Sequence, residues 1–290
     1  MICNLCPHRC GAVRDETHGE GRCALPSVAY VARAALHFGE EPCISGSRGS
    51  GTVFFSGCTL ACAFCQNREI SRGAMGRPVS AERLAEIFRE LEAAGAHNIN
   101  LVSPTPHVPV ILEALRRYRP SVPIVYNSSG WESVETLRAL EGWVDVYLPD
   151  FKYADDALAA SLSGCEGYAA VARTAIGEMI RQTGPVVLDE DGLIRRGTIV
   201  RHLILPKHTN DSLRVLEIVE QLPSCYVSLM HQYTPVAEVA GHPELSRRIT
   251  RREYDKVCER MMSMDLDDGY LQVGSSAGTE MIPAFDGTGV

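Results

Sequence analysis

From Thr52 onward, short apolar runs alternate with longer stretches whose apolar residues recur every three or four positions. Thr52-Val53-Phe54-Phe55-Ser56 has the length and the β-branched and aromatic content of a buried strand. Residues 80–94 read as a helix. Ser80 suits the N-cap, Glu82 suits the first turn, and Leu84, Ile87, Phe88 and Leu91 share one face. The alternation continues, with strands predicted at 98–102, 124–126, 144–148, 198–205 and 226–230. Helices are predicted through Ile111, Leu112 and Leu115, through Val134 and Leu137, and over 155–181, 212–222 and 251–264. Six strand–helix units in series predict an α/β fold with a parallel sheet and helices outside. Such a sheet can close fully, close in part, or stay open and doubly wound. Six units need not close, and the expectation is a partial (β/α)6 TIM-type barrel. In each arrangement, ligands meet the carboxyl ends of the strands.

The first 45 residues differ. They hold Cys3, Cys6, Cys10, Cys23 and Cys43, several glycines, and little periodic apolar pattern. The chain is therefore expected to divide into a cysteine-rich segment, 1–45, and the partial barrel, 46–290. No repeat or low-complexity tract divides it further. The tail, 277–290, has neither helical nor strand period. Its Ile282 and Phe285 are expected to dock near the strand ends and narrow access there.

Hydrophobic residues make up 45% of the 290 positions and charged residues 22%, so a packed core is expected rather than disorder. The net charge of −8, without any basic run, disfavours nucleic acid and acidic membranes as partners. Neither a signal peptide nor a membrane span is recognisable, and a cytoplasmic protein is the expectation. Eleven cysteines, most of them in the first 65 residues, then point to metal rather than to disulfides.

Cys58, Cys62 and Cys65 form a C-x3-C-x2-C motif two residues past the first predicted strand, at its carboxyl end. Thiolates are the usual ligands of iron–sulfur clusters. Three close thiolates can fix three irons of a cubane and leave the fourth without a protein ligand. A structural zinc would need a fourth ligand, and none closely follows Cys65.

With Phe64 just before the last cysteine, the motif resembles that of the radical S-adenosylmethionine (SAM) superfamily. The stretch from Ser56 to Asn67, Tyr126-Asn127-Ser128-Ser129-Gly130 and Asp150-Phe151-Lys152 are similar to the branch related to pyruvate formate-lyase activating enzymes. The resemblance implies a [4Fe-4S] cluster whose open iron takes the amine and carboxylate of SAM. It further implies an electron donor of flavodoxin or ferredoxin type and a 5′-deoxyadenosyl radical that abstracts hydrogen. By the branch, the substrate is a glycyl-radical protein; another protein, a peptide or a small molecule are the alternatives. A different class, a non-catalytic iron–sulfur or zinc scaffold for electron transfer, fits the open triad less well.

The resemblance also directs attention to the other strand ends. Where relatives carry a Gly-Gly-Glu-like segment to meet the SAM amine, this chain has Ser103-Pro104-Thr105-Pro106-His107. Ser103 and Thr105 are the candidates there, and a carboxylate is lacking. Asn127 and Ser128 follow the third strand. Asp150 and Lys152, two apart and so on one face if extended, follow the fourth. Lys152 is expected to pair with the SAM carboxylate, and Asp150 with its amine or a cation. His202 lies within the fifth strand as a site or core histidine, and Gln232 and Tyr233 follow the sixth. At the N-terminus, Cys3, Cys6, Cys10 and Cys23 suit a closed four-ligand site for zinc or a second iron–sulfur cluster. Cys43 is either a core thiol or a channel residue, and Cys165, Cys225 and Cys258 are expected to be buried.

Overall fold

A computed structural model of the chain describes residues 2–73, 75–235, 239–266, 268–272 and 283–290. Its strands are β1 (Ala29–His37), β2 (Ser50–Phe55), β3 (Arg77–Val79), β4 (Ile99–Val102), β5 (Ile124–Ser128), β6 (Val146–Pro149), β7 (Val187–Leu188), β8 (Ile194–Leu203), β9 (Tyr226–Met230) and β10 (Asp268–Leu271). Its helices are α1 (Pro42–Ser45), α2 (Arg68–Ser71), α3 (Ala81–Ala93), α4 (Val108–Arg117), α5 (Val134–Ala139), α6 (Asp156–Ser163), α7 (Tyr168–Thr183), α8 (Thr209–Val219) and α9 (Arg251–Met262). The strands join one sheet in the order β10-β9-β8-β6-β5-β4-β2-β1-β3, with β7 paired to β8. From β2 to β10 all neighbours along this path are parallel. The six predicted strand–helix units are present, and among the described residues β3 and β10 remain unjoined at the two ends. This is the partial barrel expected from the pattern.

Two features differ from the sequence expectation. The segment read as lacking pattern supplies β1, which runs antiparallel to β2 from Val31↔Phe55 to His37↔Ser50. Its apolar residues are mostly alanines, whose small side chains give little hydrophobic contrast. The single helical region predicted at 155–181 is two helices. Gly164 ends α6 in the left-handed conformation (φ 61°), and α7 starts anew after Gly167. The expected N-cap holds, with Ser80 accepting the Arg83 amide at the start of α3; Thr250 and Glu253 form a capping box on α9.

Strand alternation separates two cores. Outward residues such as Val53, Leu101, Tyr126, Tyr147 and Val200 pack under the helices. Inward residues of the central strands are apolar in their first half: Val125 of β5, Val146 and Leu148 of β6, and Ile199 of β8. Cys43 and Ile44 of the short helix α1 plug this inner core from below. Cys43 is thus a core thiol, pushed up to about 11 chiefly by burial. Two residues further along each strand the inward positions turn polar, giving Asn127, Asp150 and Arg201. The barrel is therefore closed by hydrocarbon at its base and lined by charge at its mouth. Cys165, Cys225 and Cys258 are buried as expected.

Residues 273–282, including Ile282, lie outside the described residues. Beyond them the chain runs along β1, with the Gly287 amide donating to Ala32 O and the Ala34 amide to Thr288 O. Phe285 packs edge-on against Phe54 at 5.6 Å between ring centroids.

One backbone position couples two strand ends. Gly130, just after β5, has φ +75°, and an added Cβ would stand 2.2 Å from the Asp150 carbonyl oxygen. Gly142 has a similar φ of +79° with nothing within 4 Å. Gly142→Ala should cost about 1 kcal/mol, the penalty of the left-handed backbone alone. Gly130→Ala should cost clearly more, read from urea midpoints under anaerobic conditions. Equal losses in the two variants would show that the close approach to Asp150 is not a constraint.

Candidate active site

A cavity of about 240 Å³ opens where β2, β4, β5, β6 and β8 end. Cys58, Cys62 and Cys65 line it from the loop after β2. That loop is held on several sides. Ala63 donates its amide to Leu162 O, and Arg72 donates to Ala61 O and Cys62 O. Phe64 is buried between Tyr153 and Tyr233. The Ser163 hydroxyl donates to Cys62 Sγ at 2.9 Å and lies 2.6 Å from the Tyr153 hydroxyl. The Leu60 amide donates to Cys58 Sγ at 3.4 Å.

Burial, reinforced by Cys62 and Cys65, pushes the Cys58 thiol up to about 12. Burial also raises Cys62. Such thiols do not ionise readily alone, but a bound metal deprotonates a coordinating thiol outright. A structural zinc takes four protein ligands, whereas a cubane takes three thiolates on three irons and leaves the fourth iron open. The donor set and the cavity beside it fit a [4Fe-4S] cluster with one open side.

Facing the cysteines is a network of buried charge. Lys152 Nζ lies 2.5 Å from Asp150 Oδ2. Arg201 donates from Nε to Asp150 Oδ1 at 3.2 Å, from Nη1 to Glu40 Oε2 at 3.0 Å and from Nη2 to Asn127 Oδ1 at 2.5 Å. Asn100 and Asn127 both donate to Glu40 Oε1. Burial alone would raise the Asp150 carboxyl, but the Lys152 and Arg201 cations outweigh it and hold it below its usual value. Burial would lower Lys152, yet Asp150 and then Cys62 drive it upward. Two cations and two carboxylates thus balance, which is the condition for keeping charges out of water.

The backbone around Asp150 is equally fixed. Its amide donates to Ser128 O and the Phe151 amide to Arg201 O. The buried Tyr168 hydroxyl accepts the Lys152 amide at 2.9 Å and lies 2.8 Å from Ser129 O and 2.9 Å from Asp150 O.

The structure brings Ser103, Asn127, Ser128, Asp150, Lys152 and Gln232 to this cavity. Ser103 has a positive φ of 57°. Thr105 and His202 do not line the cavity. Thr105 lies in a buried turn, donating to Glu132 Oε1 at 3.0 Å. His202 follows Arg201 on β8 and so points to the opposite face of the strand, where Nδ1 meets Phe151 O at 2.7 Å. The same alternation singles out Arg201, two residues past inward Ile199, as the inward polar group. Glu40 was not found from sequence, because its place beside the cavity depends on β1. Tyr233 packs on Phe64 and donates to Leu245 O. Pro283, close to the docked Phe285, lies on the cavity rim.

The N-terminal segment sits directly behind the cysteine loop. His8 Nε2 donates to Thr59 O at 2.9 Å, and the His8 ring lies 5.3 Å from Trp131. Leu5 O accepts from Ser133 and Thr136. Arg14 donates to Pro106 O at 2.8 Å and to Leu25 O at 2.9 Å. Cys3 and Cys10 act electrostatically on Cys23, and Cys3 and Cys23 on Cys6, so the four thiols are neighbours.

Comparison with known proteins gives the following likenesses. The family profile described as the radical SAM superfamily matches residues 52–217. An uncharacterised protein of Methanocaldococcus jannaschii is 30% identical over 276 residues, covering 91% of this chain and 75% of that protein. Streptococcus suis SuiB, solved bound to S-adenosylmethionine, superimposes with a TM-score of 0.51 at 13% identity, over 75% of this chain and 48% of SuiB. SuiB bound to its precursor peptide SuiA gives a TM-score of 0.48 at 12% identity, over 74% of this chain and 47% of that one. The chain thus spans about half the length of these solved structures. The 0.51 match is a likeness of fold. Among the described residues, no helix is long and apolar enough to cross a membrane.

Glu132, between the N-terminal segment and β5, is buried against Thr105, Ser128 and Tyr126, and burial pushes its carboxyl up to about 8. A raised folded-state value means that the folded chain holds a proton that the unfolded chain releases near pH 4. Stability from this group is full below that range and is lost as pH rises through about 8. Glu132→Gln, which has no proton to lose, should therefore gain stability relative to the parent between about pH 5 and about pH 9. Parallel stability–pH curves would show that Glu132 titrates normally.

Proposed function

The chain belongs to the radical SAM superfamily, and from this premise we propose that it cleaves SAM at a [4Fe-4S] cluster held by Cys58, Cys62 and Cys65. The observation that carries the reading is the opening of this cysteine loop onto a cavity walled by the Asp150–Lys152–Arg201–Glu40 network. When bound, the cluster supplies the electron that splits the SAM sulfonium and yields a 5′-deoxyadenosyl radical. The residues of the chain hold and orient. Lys152 meets the SAM carboxylate with a charge-assisted hydrogen bond. Asp150 and Glu40 face the amine, so that Glu40 supplies the carboxylate missing from the turn at Ser103. Ser103, Asn127 and Ser128 provide the remaining polar contacts. Phe54 and Val102 offer apolar wall to the rest of the ligand.

Within this chemistry we assign a protein substrate, a glycyl-radical partner, on the likeness of residues 126–130 and 150–152 to activating enzymes. The unjoined ends of the sheet, β3 and β10 among the described residues, leave lateral room for a chain segment. A flavodoxin- or ferredoxin-like protein is the electron donor. We further read residues 1–45 as a metal-binding segment built onto the barrel of 46–290, to which it lends β1. Cys3, Cys6, Cys10 and Cys23 are its ligands, for a second iron–sulfur cluster or for zinc, and the His8–Thr59 contact ties the segment to the first cysteine loop.

Anaerobic incubation of the reconstituted protein with SAM and a strong reductant should release 5′-deoxyadenosine. Cys58→Ala should abolish release. Lys152→Ala should keep its iron but bind SAM more weakly by about 1.5–3 kcal/mol. Undiminished cleavage by Cys58→Ala would overturn the assignment, and unchanged affinity would remove Lys152 from the site.

The N-terminal reading has its own test. With a second cluster, a variant with Cys58, Cys62 and Cys65 all replaced by alanine should retain about half the iron of the parent after reconstitution. Iron at background level in this variant would refute a second cluster and leave zinc.

A further inference from the structure

The loops beyond β8 and β9 carry a second group of ligand-type side chains, away from every cysteine. His208 immediately precedes α8, and His242 and Glu244 lie in the long connection between β9 and α9. His208 Nε2 lies 3.1 Å from Glu244 Oε1, and His242 Nδ1 lies 3.0 Å from the same oxygen. All three ligand atoms fall within 4.8 Å of one another. The three side chains are partly buried.

One ion can span these atoms, since two ligands about 2.1 Å from a tetrahedral metal stand about 3.4 Å apart and the three ligand atoms lie within 4.8 Å of one another. The two nitrogen–oxygen separations are those of hydrogen bonds, which a metal would replace. The far nitrogen of His242 is also accounted for, since Nε2 lies 2.6 Å from the Ser161 hydroxyl on α6. A ligating histidine almost always donates its other ring N–H to a fixed partner, which sets the tautomer. With its proton on Nδ1, His242 donates to Glu244 Oε1 at 3.0 Å; with the proton on Nε2 and given to Ser161, the Nδ1 lone pair is available to a metal. Glu244 offers a carboxylate as the third ligand.

We propose that His208, His242 and Glu244 bind a divalent first-row transition metal through two imidazoles and one carboxylate. The ligand set is nitrogen and oxygen, so this centre is chemically distinct from the cysteine sites and does not depend on the radical chemistry. Its place in the fold gives it a role. The metal ties the start of α8 to the connection after β9, and Ser161 ties both to α6. That connection holds Tyr233, whose hydroxyl donates to Leu245 O beside Glu244 and whose ring lies 6.1 Å from Phe64 in the cysteine loop. It also holds Gln232, whose carbonyl accepts from Gln66 next to Cys65. The metal therefore braces one wall of the cavity from behind without touching it.

The test is metal analysis of the full-length reconstituted protein after exposure to excess zinc and desalting. Wild type should retain a full equivalent of zinc more than His208→Ala, His242→Ala or the near-isosteric Glu244→Gln, with iron unchanged in all four. X-ray absorption at the zinc edge of wild type should show nitrogen and oxygen neighbours. Equal zinc in wild type and in every variant, or zinc ringed by sulfur alone, overturns the proposal. Glu244→Gln keeps size and shape, so its loss of zinc with unaltered iron separates ligation from misfolding.

Discussion

The mouth of this barrel depends on one half-buried carboxylate. Asp150 is held between Lys152 and Arg201, and Arg201 is shared with Glu40. None of these ions tolerates burial alone, because taking a charge out of water without a partner costs several kcal/mol. Each strand end must therefore deliver its member of the set: β6 leads to Asp150 and Lys152, β8 carries Arg201, β5 carries Asn127, and the turn after β1 supplies Glu40. Register along four elements is fixed by this requirement as firmly as by the hydrocarbon beneath. A slip of one residue on β8 would turn Arg201 outward and bring His202 in.

That inward face explains what could be read from the chain and what could not. Parallel strands buried on both faces appear as short apolar runs, and β2, β4, β5, β6, β8 and β9 were all legible in this way. The C-x3-C-x2-C motif was legible because ligand chemistry demands cysteine at set spacings. Asp150, Lys152, Asn127 and Ser128 were legible as polar groups at strand ends. Within β8, residue type leaves His202 open as a site or a core histidine, and the alternation from Ile199 turns Arg201 inward instead. The pattern does not show that the turn at Thr105 is a buried 3-10 helix, which turns its hydroxyl to Glu132 instead of the cavity. Glu40 lay beyond reach, since an antiparallel strand of small alanines announces itself by pairing rather than by pattern.

The cysteine-rich segment gains its order from the barrel. Leu5, His8 and Arg14 are each bound to a different strand-end loop, after β5, β2 and β4 respectively. A short stretch with little core of its own thereby borrows surface from its host, and it does so against the elements that shape the cavity. Any displacement of His8 would be felt at Thr59, the residue following Cys58.

Tyr168 shows how narrowly such a site can be specified. Its ring is ordinary core, stacked on Trp131 at 6.0 Å between centroids. Its oxygen is within hydrogen-bonding reach of three main-chain groups that belong to two loops. A phenylalanine there would preserve volume, stacking and hydrophobicity, yet strip the shared tether from the loops bearing Ser129 and Lys152. Tolerance at this position is governed by a single atom. A change that looks neutral by side-chain size would here free two loops from each other.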